Sequence, residues 1–133
     1  MMLRRVAWLL VYMVAIQGCA VFTSVPVEER VAQRSQERLD LMWQGQMEQS
    51  YAFTTPAYRS ARTWQQYSRN WQGVGMWISA TVAKVECVES QPVQKCESTV
   101  RIDYKLAKQE PGTTHIKETW VLVQDGWYLY QKI

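Results

Sequence analysis

The sequence has little excess charge, one histidine and no long apolar run. Lysine and arginine total 15 against 12 aspartate and glutamate residues, and the basic residues are scattered along the chain. This distribution argues against a nucleic-acid partner, which requires a clustered basic surface. The longest apolar stretch, residues 6–16, has eleven residues, whereas a helix needs about twenty to span a membrane. We also find no repeat and no low-complexity segment.

Motifs of common catalytic and metal sites are missing as well. We find no glycine-rich phosphate loop, no metal-ligand spacing and no serine or cysteine nucleophile with a recognisable partner pattern. Asp40, Asp103 and His115 are the only plausible catalytic acids or bases. Each is expected on a polar, solvated part of a helix or strand, where it needs no catalytic role. The sequence therefore predicts neither an enzyme nor a cofactor.

The first residues have the parts of a secretory signal peptide. Arg4 and Arg5 give a charged start, residues 6–16 are apolar, and small residues surround Cys19. Cleavage before Cys19 would remove residues 1–18 and leave 115 of 133 residues, the usual size of one domain. The formal charge would fall from +3 to near +1. A short uncleaved anchor and an ordinary signal peptide with a chance cysteine are the alternatives.

The stretch from Ile16 to Cys19 resembles the lipobox of bacterial lipoproteins. As in that family, the residue before the cysteine is small and the third residue before it is aliphatic. The resemblance implies a diacylglyceryl thioether and an acylated amino group on Cys19, with residues 19–26 as a short lipidated tether. Ala20 follows where an aspartate would indicate inner-membrane retention, so we expect a lipid anchor in the outer membrane, facing the periplasm. Each buried methylene contributes roughly 0.8 kcal/mol, so several acyl chains make such an anchor permanent.

Export leaves Cys87 and Cys96 as an even pair of cysteines. Secreted chains usually join such a pair in a disulfide. The ring would contain ten residues, and its closure would stabilise the fold by roughly 2 to 3 kcal/mol. Zinc binding is the alternative, but two cysteines and His115 fall short of the four ligands that a structural zinc site uses. We therefore predict a disulfide and no metal.

The chain after the tether begins with the periodicity of helices. Apolar or small residues recur at steps of three or four: Val27, Val31, Ser35, Leu39 and Met42. This spacing predicts an amphipathic helix that ends near Gly45. A second helix is expected over residues 46–52. Thr63 followed by Gln66 is the pattern of a capping box, which predicts a third helix over residues 64–71.

After Gly75 the periodicity becomes alternating, which predicts four antiparallel strands. We expect them at residues 76–87, 96–107, 115–123 and 127–132. Asp125-Gly126 is the strongest hairpin signal in the chain and should join the last two strands. Three helices before a four-stranded meander indicate an α+β fold, with the helices packed on one face of a curved sheet.

In the order of their elements, residues 27–133 resemble the nuclear transport factor 2-like (cystatin-like) superfamily. The stretch from Gln46 to Asn70 and the aromatic-rich sheet carry this resemblance. It implies a single domain in which the helices and the curved sheet form a cone, whose open end can hold an apolar ligand or an active site. An SH3-like barrel is the alternative, because residues 125–128 also resemble the end of a bacterial SH3 domain. The three leading helices favour the cone.

Six tryptophans follow the predicted cleavage site: Trp43, Trp64, Trp71, Trp77, Trp120 and Trp127. Tryptophan rings fill cores, and they also line pockets and interfaces because one edge can stay wet. Trp64 and Trp71 fall on one face of the third predicted helix, which is typical of a helix docked on a core. Trp77, Trp120 and Trp127 are candidates for the rim of a groove or cavity. These five residues are the candidate ligand or partner surface.

The sequence is compatible with three functions. The anchor, the short tether and the missing catalytic set favour a non-catalytic binding or assembly module that contacts an envelope protein or the peptidoglycan layer. The tryptophans also suit a carrier or sensor of a small apolar ligand within the cone. The third hypothesis is an isomerase or lyase of the cone type, with His115 or an aspartate as the base.

Overall fold

The computed structural model describes residues 24–133, and its helices precede its strands. The helices are α1 (Val27–Trp43), α2 (Met47–Tyr51), α3 (Pro56–Ala61) and α4 (Trp64–Arg69), followed by a 3₁₀ helix (Gln72–Met76). The strands are β1 (Trp77–Cys87), β2 (Lys95–Tyr104), β3 (Gly112–Val123) and β4 (Gly126–Leu129). The helices pack on a curled, four-stranded antiparallel sheet, which confirms the predicted α+β fold.

The predicted signal peptide and its cleavage site lie outside the described residues. Cys19 and most of the tether lie outside them too, so the lipid anchor stays a prediction. Within residues 24–133, no helix is both long enough and apolar enough to cross a membrane.

Helix α1 forms where the apolar periodicity predicts it. Leu39 and Met42 lie on its buried face. The helix ends in a Schellman motif, in which Gly45 has a φ of +76°. The Gly45 amide donates to the Met42 carbonyl, and the Gln46 amide donates to the Leu41 carbonyl. Glycine suits this position because a side chain would strain a residue with positive φ.

Three short α-helices follow α1, one more than the sequence predicts. The expected second helix is α2, and the capping box between Thr63 and Gln66 starts α4. The sequence pattern does not predict α3, because Pro56 is expected only to interrupt helical structure. Pro56 instead occupies the first turn of α3, and the Thr55 hydroxyl caps the helix by accepting from the Tyr58 amide.

The strands form a meander in the order β1-β2-β3-β4. Cys87 at the end of β1 lies opposite Cys96 on β2. Their sulfur atoms are 2.04 Å apart, which confirms the predicted disulfide. Strand β2 ends earlier than expected, at Tyr104, and β3 begins earlier than expected, at Gly112. Tyr104 and Gly112 lie opposite each other, so the two strands end their pairing together.

The β3–β4 hairpin is present, but its turn lies one residue earlier than expected. Gln124 and Asp125 form the turn, and Gln124 has a φ of +54°. Gly126 is therefore the first residue of β4 rather than part of the turn. A Cβ on Gly126 would lie 2.8 Å from the Tyr128 ring, so a larger residue there would require the Tyr128 side chain to shift.

Both edge strands of the sheet are covered by other parts of the chain. On β1, the Gln36 side chain donates to the Ala80 carbonyl and accepts from the Val82 amide, each at 3.0 Å. The Gln36 carboxamide thus makes the two backbone hydrogen bonds that a neighbouring strand would otherwise make with Ala80 and Val82. On β4, the backbone of Leu129 makes hydrogen bonds with the segment 53–55. Open sheet edges promote pairing with other chains, and these contacts oppose it.

The hydrophobic core lies between α1 and the sheet. Beside the first half of α1 it consists of Val31, Cys96, Trp120, Trp127 and Leu129. Beside the second half it consists of Leu39, Ala80, Val100 and Ile102. Trp120 has the largest of the fully buried side chains, and Arg38, a charged residue, has the next largest. Burying a charged group is costly unless it is paired and hydrogen-bonded, so the stability of the fold depends on the polar contacts of Arg38.

Candidate functional site

A buried ion pair joins α1 to β3. Arg38 is fully buried and Glu118 is 4% exposed. Nη1 of Arg38 lies 2.5 Å from Oε1 of Glu118. The other carboxylate oxygen accepts hydrogen bonds from Ser35 (3.0 Å) and Ser98 (3.5 Å). Both carboxylate oxygens therefore have partners, which offsets part of the cost of burying the two charges.

The guanidinium of Arg38 also contacts two aromatic side chains. Its Nε donates to the Tyr67 hydroxyl at 3.0 Å, and its Cζ lies 4.6 Å from the centroid of the Trp71 ring. The Tyr67 hydroxyl accepts from Ser50 (3.1 Å) and donates to the sulfur of Met42 (3.8 Å). This network of polar and aromatic contacts holds α1, α2, α4 and the sheet together.

The edge of the network next to Trp71 is not fully satisfied. Nη2 of Arg38 and Nε1 of Trp71 are buried and have no hydrogen-bond partner within residues 24–133. A buried donor without a partner costs about 1 to 3 kcal/mol. Both donors would therefore gain from an acceptor such as a bound water or a ligand oxygen.

The network is suited to holding the fold rather than to transferring protons. A general base must reach the proton it removes, at hydrogen-bond distance or through one water. The Glu118 carboxylate is instead occupied by Arg38, Ser35 and Ser98. The paired contacts of this buried network fix how the surrounding elements pack against each other.

Trp71 also lines an open groove at the C-terminal end of α1. The groove has a volume of about 420 Å³. Its apolar side chains are Met42, Trp43, Met47, Trp71, Val74 and Trp77, and its polar side chains are Ser68 and Gln72. No charged residue lines it in the described part of the chain. We call it the Trp71 groove. Mostly apolar concave surfaces with a few polar groups are typical of binding sites.

The position of the Trp71 groove follows from the length of α1. Helix α1 begins at Val27, near the start of the described residues, and the groove lies at its last turn. A helix of 17 residues is about 25 Å long. The groove is therefore about that far from the start of the domain. Trp43 at this end of the helix is 55% exposed, which is unusual for so large an apolar side chain.

The candidate tryptophans fall into three groups. Trp71 and Trp77 line the groove. Trp64 lies apart from them, in a shallow pocket lined mainly by α3 and the start of α4. Trp120 is fully buried in the core. Trp127 is 5% exposed and belongs to the core too, but it also lines an open pocket of about 530 Å³ between α1 and the β3–β4 hairpin.

The candidate acids and bases lie on α1 and on the sheet. Asp40 is exposed on α1 and accepts a hydrogen bond from Gln36 at 2.9 Å. Hydrogen bonds from Thr113 and then Ser79 hold the pKa of Asp103 below its usual range. His115 is exposed on β3, opposite Arg101 and two positions from Thr113, the residue opposite Asp103, so Asp103 and His115 are diagonal neighbours on adjacent strands. None of the three residues lines the Trp71 groove.

The sequence analysis misses Arg38 and Glu118, although both carry a signal. Arg38 lies three residues after Ser35 and four before Met42, on the buried stripe of α1. Glu118 alternates with Ile116 and Trp120 on the inward-facing positions of β3. A charged residue on an apolar stripe predicts a buried partner of opposite charge. The two positions could have been matched on that basis.

Comparison with known proteins identifies no relative of this chain. No family model matches it, and no curated protein or solved structure matches it either. The function has to be argued from the chain's own residues.

Proposed function

We propose that the protein is a lipoprotein anchored through Cys19 in the outer membrane, with its domain on the periplasmic side. The lipobox resemblance of residues 16–19 carries the anchor, and residues 19–26 would be the tether. The disulfide between Cys87 and Cys96 supports export, because disulfides persist mainly in oxidising compartments. We also propose that residues 27–133 form a domain similar to the nuclear transport factor 2-like superfamily, with its helices ahead of its strands.

We further propose that the domain is a non-catalytic binding module and that the Trp71 groove holds an apolar segment of an envelope protein. The uncharged lining of the groove, at which the large apolar side chain of Trp43 is exposed, is the observation that carries this proposal. Tryptophan and methionine are enriched at the centres of protein interfaces, whereas charged residues are depleted there. Two polar side chains, Ser68 and Gln72, offer too few hydrogen bonds for a glycan rich in hydroxyl groups.

The length of α1 adds a second argument for a protein partner. If the tether holds the first turn of α1 near the bilayer, the groove lies up to about 25 Å from that point. An apolar groove at that distance is better placed to meet a protein in the periplasm than the lipid of its own membrane.

A carrier or sensor of a small apolar ligand is the second candidate. The groove volume of about 420 Å³ lies in the range of small-molecule sites. Ser68 and Gln72 would supply its polar contacts. Native mass spectrometry of protein purified from its own envelope distinguishes the two candidates. A bound small molecule would support the carrier, and ligand-free protein would favour the binding module.

Photo-crosslinking in intact envelopes tests the binding module. A photoreactive amino acid replaces Trp43 at the groove, and in a control protein it replaces Tyr130. Both side chains are 55% exposed, so they offer the crosslinker equal access to solvent. We expect a discrete protein adduct from position 43 and only diffuse products from position 130. The same diffuse pattern at both positions would reject the proposal. An adduct with peptidoglycan would show that the partner is a glycan and not a protein.

Acyl labelling tests the anchor. Cells fed an alkyne fatty acid should label the wild-type protein, and Cys19→Ala should abolish the label and release the protein from membranes. Unchanged labelling of Cys19→Ala would overturn the anchor. Loss of the anchor would not by itself remove the groove, so the two proposals can fail separately.

A further inference from the structure

A second pocket lies between α4 and the C-terminal segment of the chain. It has a volume of about 370 Å³ and shares no lining residue with the Trp71 groove. Arg62, Arg69 and Lys132 supply three positive charges, and Gln66 and Asn70 supply side-chain amides. Two regions of the chain that are far apart in sequence thus bring their cations to one place. We call it the cationic pocket.

The three cations have no partner of opposite charge in the described part of the chain. The ion pairs within residues 24–133 involve other basic residues. No aspartate or glutamate lines the pocket. The terminal carboxylate of Ile133 lies at the pocket as well, but it makes no ion pair with these three cations, which outnumber it. Like charges held close together repel one another, and a bound anion would relieve that repulsion.

The neutral groups of the pocket are available as hydrogen-bond donors. The Gln66 side-chain oxygen accepts from the Thr63 amide at 2.9 Å in the capping box, which leaves the NH₂ group of Gln66 for a ligand. Tyr58 lies at the pocket and is 3% exposed. Burial raises the pKa of Tyr58, although Arg62 acts in the opposite direction, so the hydroxyl stays protonated at neutral pH. The pocket therefore presents positive charge together with neutral donors.

We propose that the cationic pocket binds a phosphate group, either as inorganic phosphate or as part of a phosphate ester. A phosphate monoester carries about two negative charges at pH 7, which matches three cations better than the single charge of one carboxylate does. Arginine guanidinium groups donate two parallel hydrogen bonds to phosphate oxygens, and Arg62 and Arg69 can each do so. This inference stands independently of the Trp71 groove and of the lipid anchor.

Calorimetric titration of the full-length protein in detergent tests the inference, with inorganic phosphate and glycerol 3-phosphate as the two probes at constant ionic strength. The pocket variant is Arg62→Gln/Arg69→Gln/Lys132→Gln. The control variant, Arg30→Gln/Lys105→Gln/Lys108→Gln, removes the same charge from exposed residues elsewhere. All six side chains are exposed, so circular dichroism melts should show both variants folded; Lys132→Gln alone serves as a milder second variant.

We expect the wild type and the control variant to bind at least one probe. The pocket variant should bind at least about ten-fold more weakly, since it loses three charge-assisted contacts. Tighter binding of glycerol 3-phosphate would identify an ester, such as a lipid headgroup, as the source, and tighter binding of inorganic phosphate would identify free phosphate. Absence of binding by the wild type would overturn the proposal. An equal loss in the pocket and control variants would also overturn it, because net charge alone would then explain the effect.

Discussion

Removing the negative charge of Glu118 should destabilise the fold more than any change at a surface ion pair. Glu118→Gln keeps the shape of the side chain but leaves the fully buried Arg38 without a counter-charge. Breaking one partner of a buried pair costs about 3 to 5 kcal/mol. A domain of this size has a total stability of about 5 to 15 kcal/mol. The variant should therefore lose a large share of its stability and melt about 10 to 30 °C lower.

Equilibrium denaturation in urea measures this loss, and a double-mutant cycle isolates the pair. The cycle compares the single variants Arg38→Met and Glu118→Leu with the double variant Arg38→Met/Glu118→Leu. The double variant removes both charges and fills the space with apolar atoms, so it should lose less stability than Glu118→Gln alone. The matched control is Glu97→Gln. Glu97 pairs with Lys117 at 2.7 Å, but the pair lies on the surface. Its loss should change the stability little, because solvent screens exposed ion pairs.

Two outcomes of these measurements would contradict the stabilising role of the ion pair between Arg38 and Glu118. If Glu118→Gln were as stable as Glu97→Gln, the pair would contribute no more than a surface contact does. If the double variant were less stable than both single variants, the network would act through hydrogen bonds to Ser35 and Tyr67 rather than through charge. Either result would contradict the role that we assign to Arg38 and Glu118.

Three further predictions concern the sheet. Replacing both disulfide cysteines with serine should lower the free energy of unfolding in urea by about 2 to 3 kcal/mol, and wild-type protein of unchanged stability under reductant would contradict this. The lowered pKa of Asp103, due first to the Thr113 hydrogen bond, favours its ionised form in the fold. Its contribution to stability should be complete above about pH 4 and disappear as the pH falls further, and Asp103→Asn should flatten that part of the pH profile. Gln36→Ala should cost about 1 to 2 kcal/mol and promote association through the opened edge of β1. Gln33→Ala should do neither, because the Gln33 side chain donates to Glu37 within α1 and not to β1. Light scattering measures the association.

The elements that the sequence predicts well are those with local signals. The apolar stripe and Gly45 define α1, Thr63 and Gln66 start α4, and the alternation after Gly75 gives the strands. The hairpin signal at residues 125–126 is right in kind but one residue late, because the turn is set by strand pairing, which places Val123 opposite Gly126. The sequence predicts an element well where the residues that contact each other in the fold are also close in sequence.

The site is harder to predict because its residues meet only in the folded chain. Arg38 and Glu118 are 80 positions apart, and no local pattern connects them. The tryptophans show the same limit. The number of tryptophans in the sequence is compatible with a binding surface and with a core. Only the packing of the fold separates Trp71 and Trp77 in the groove from Trp120 and Trp127 in the core. Burial is a property of the tertiary fold, so residue type alone does not assign the role.

Oxidative footprinting of Trp43 tests the central claim, that a partner covers the Trp71 groove in the envelope. Hydroxyl radicals label exposed aromatic side chains, and Tyr130 is the internal reference because it is equally exposed, at 55%. Labelling of each residue in intact cells is divided by its labelling in the purified protein. We predict that this ratio is much lower for Trp43 than for Tyr130. Equal ratios would show that the groove is open in the envelope and would contradict the proposed function.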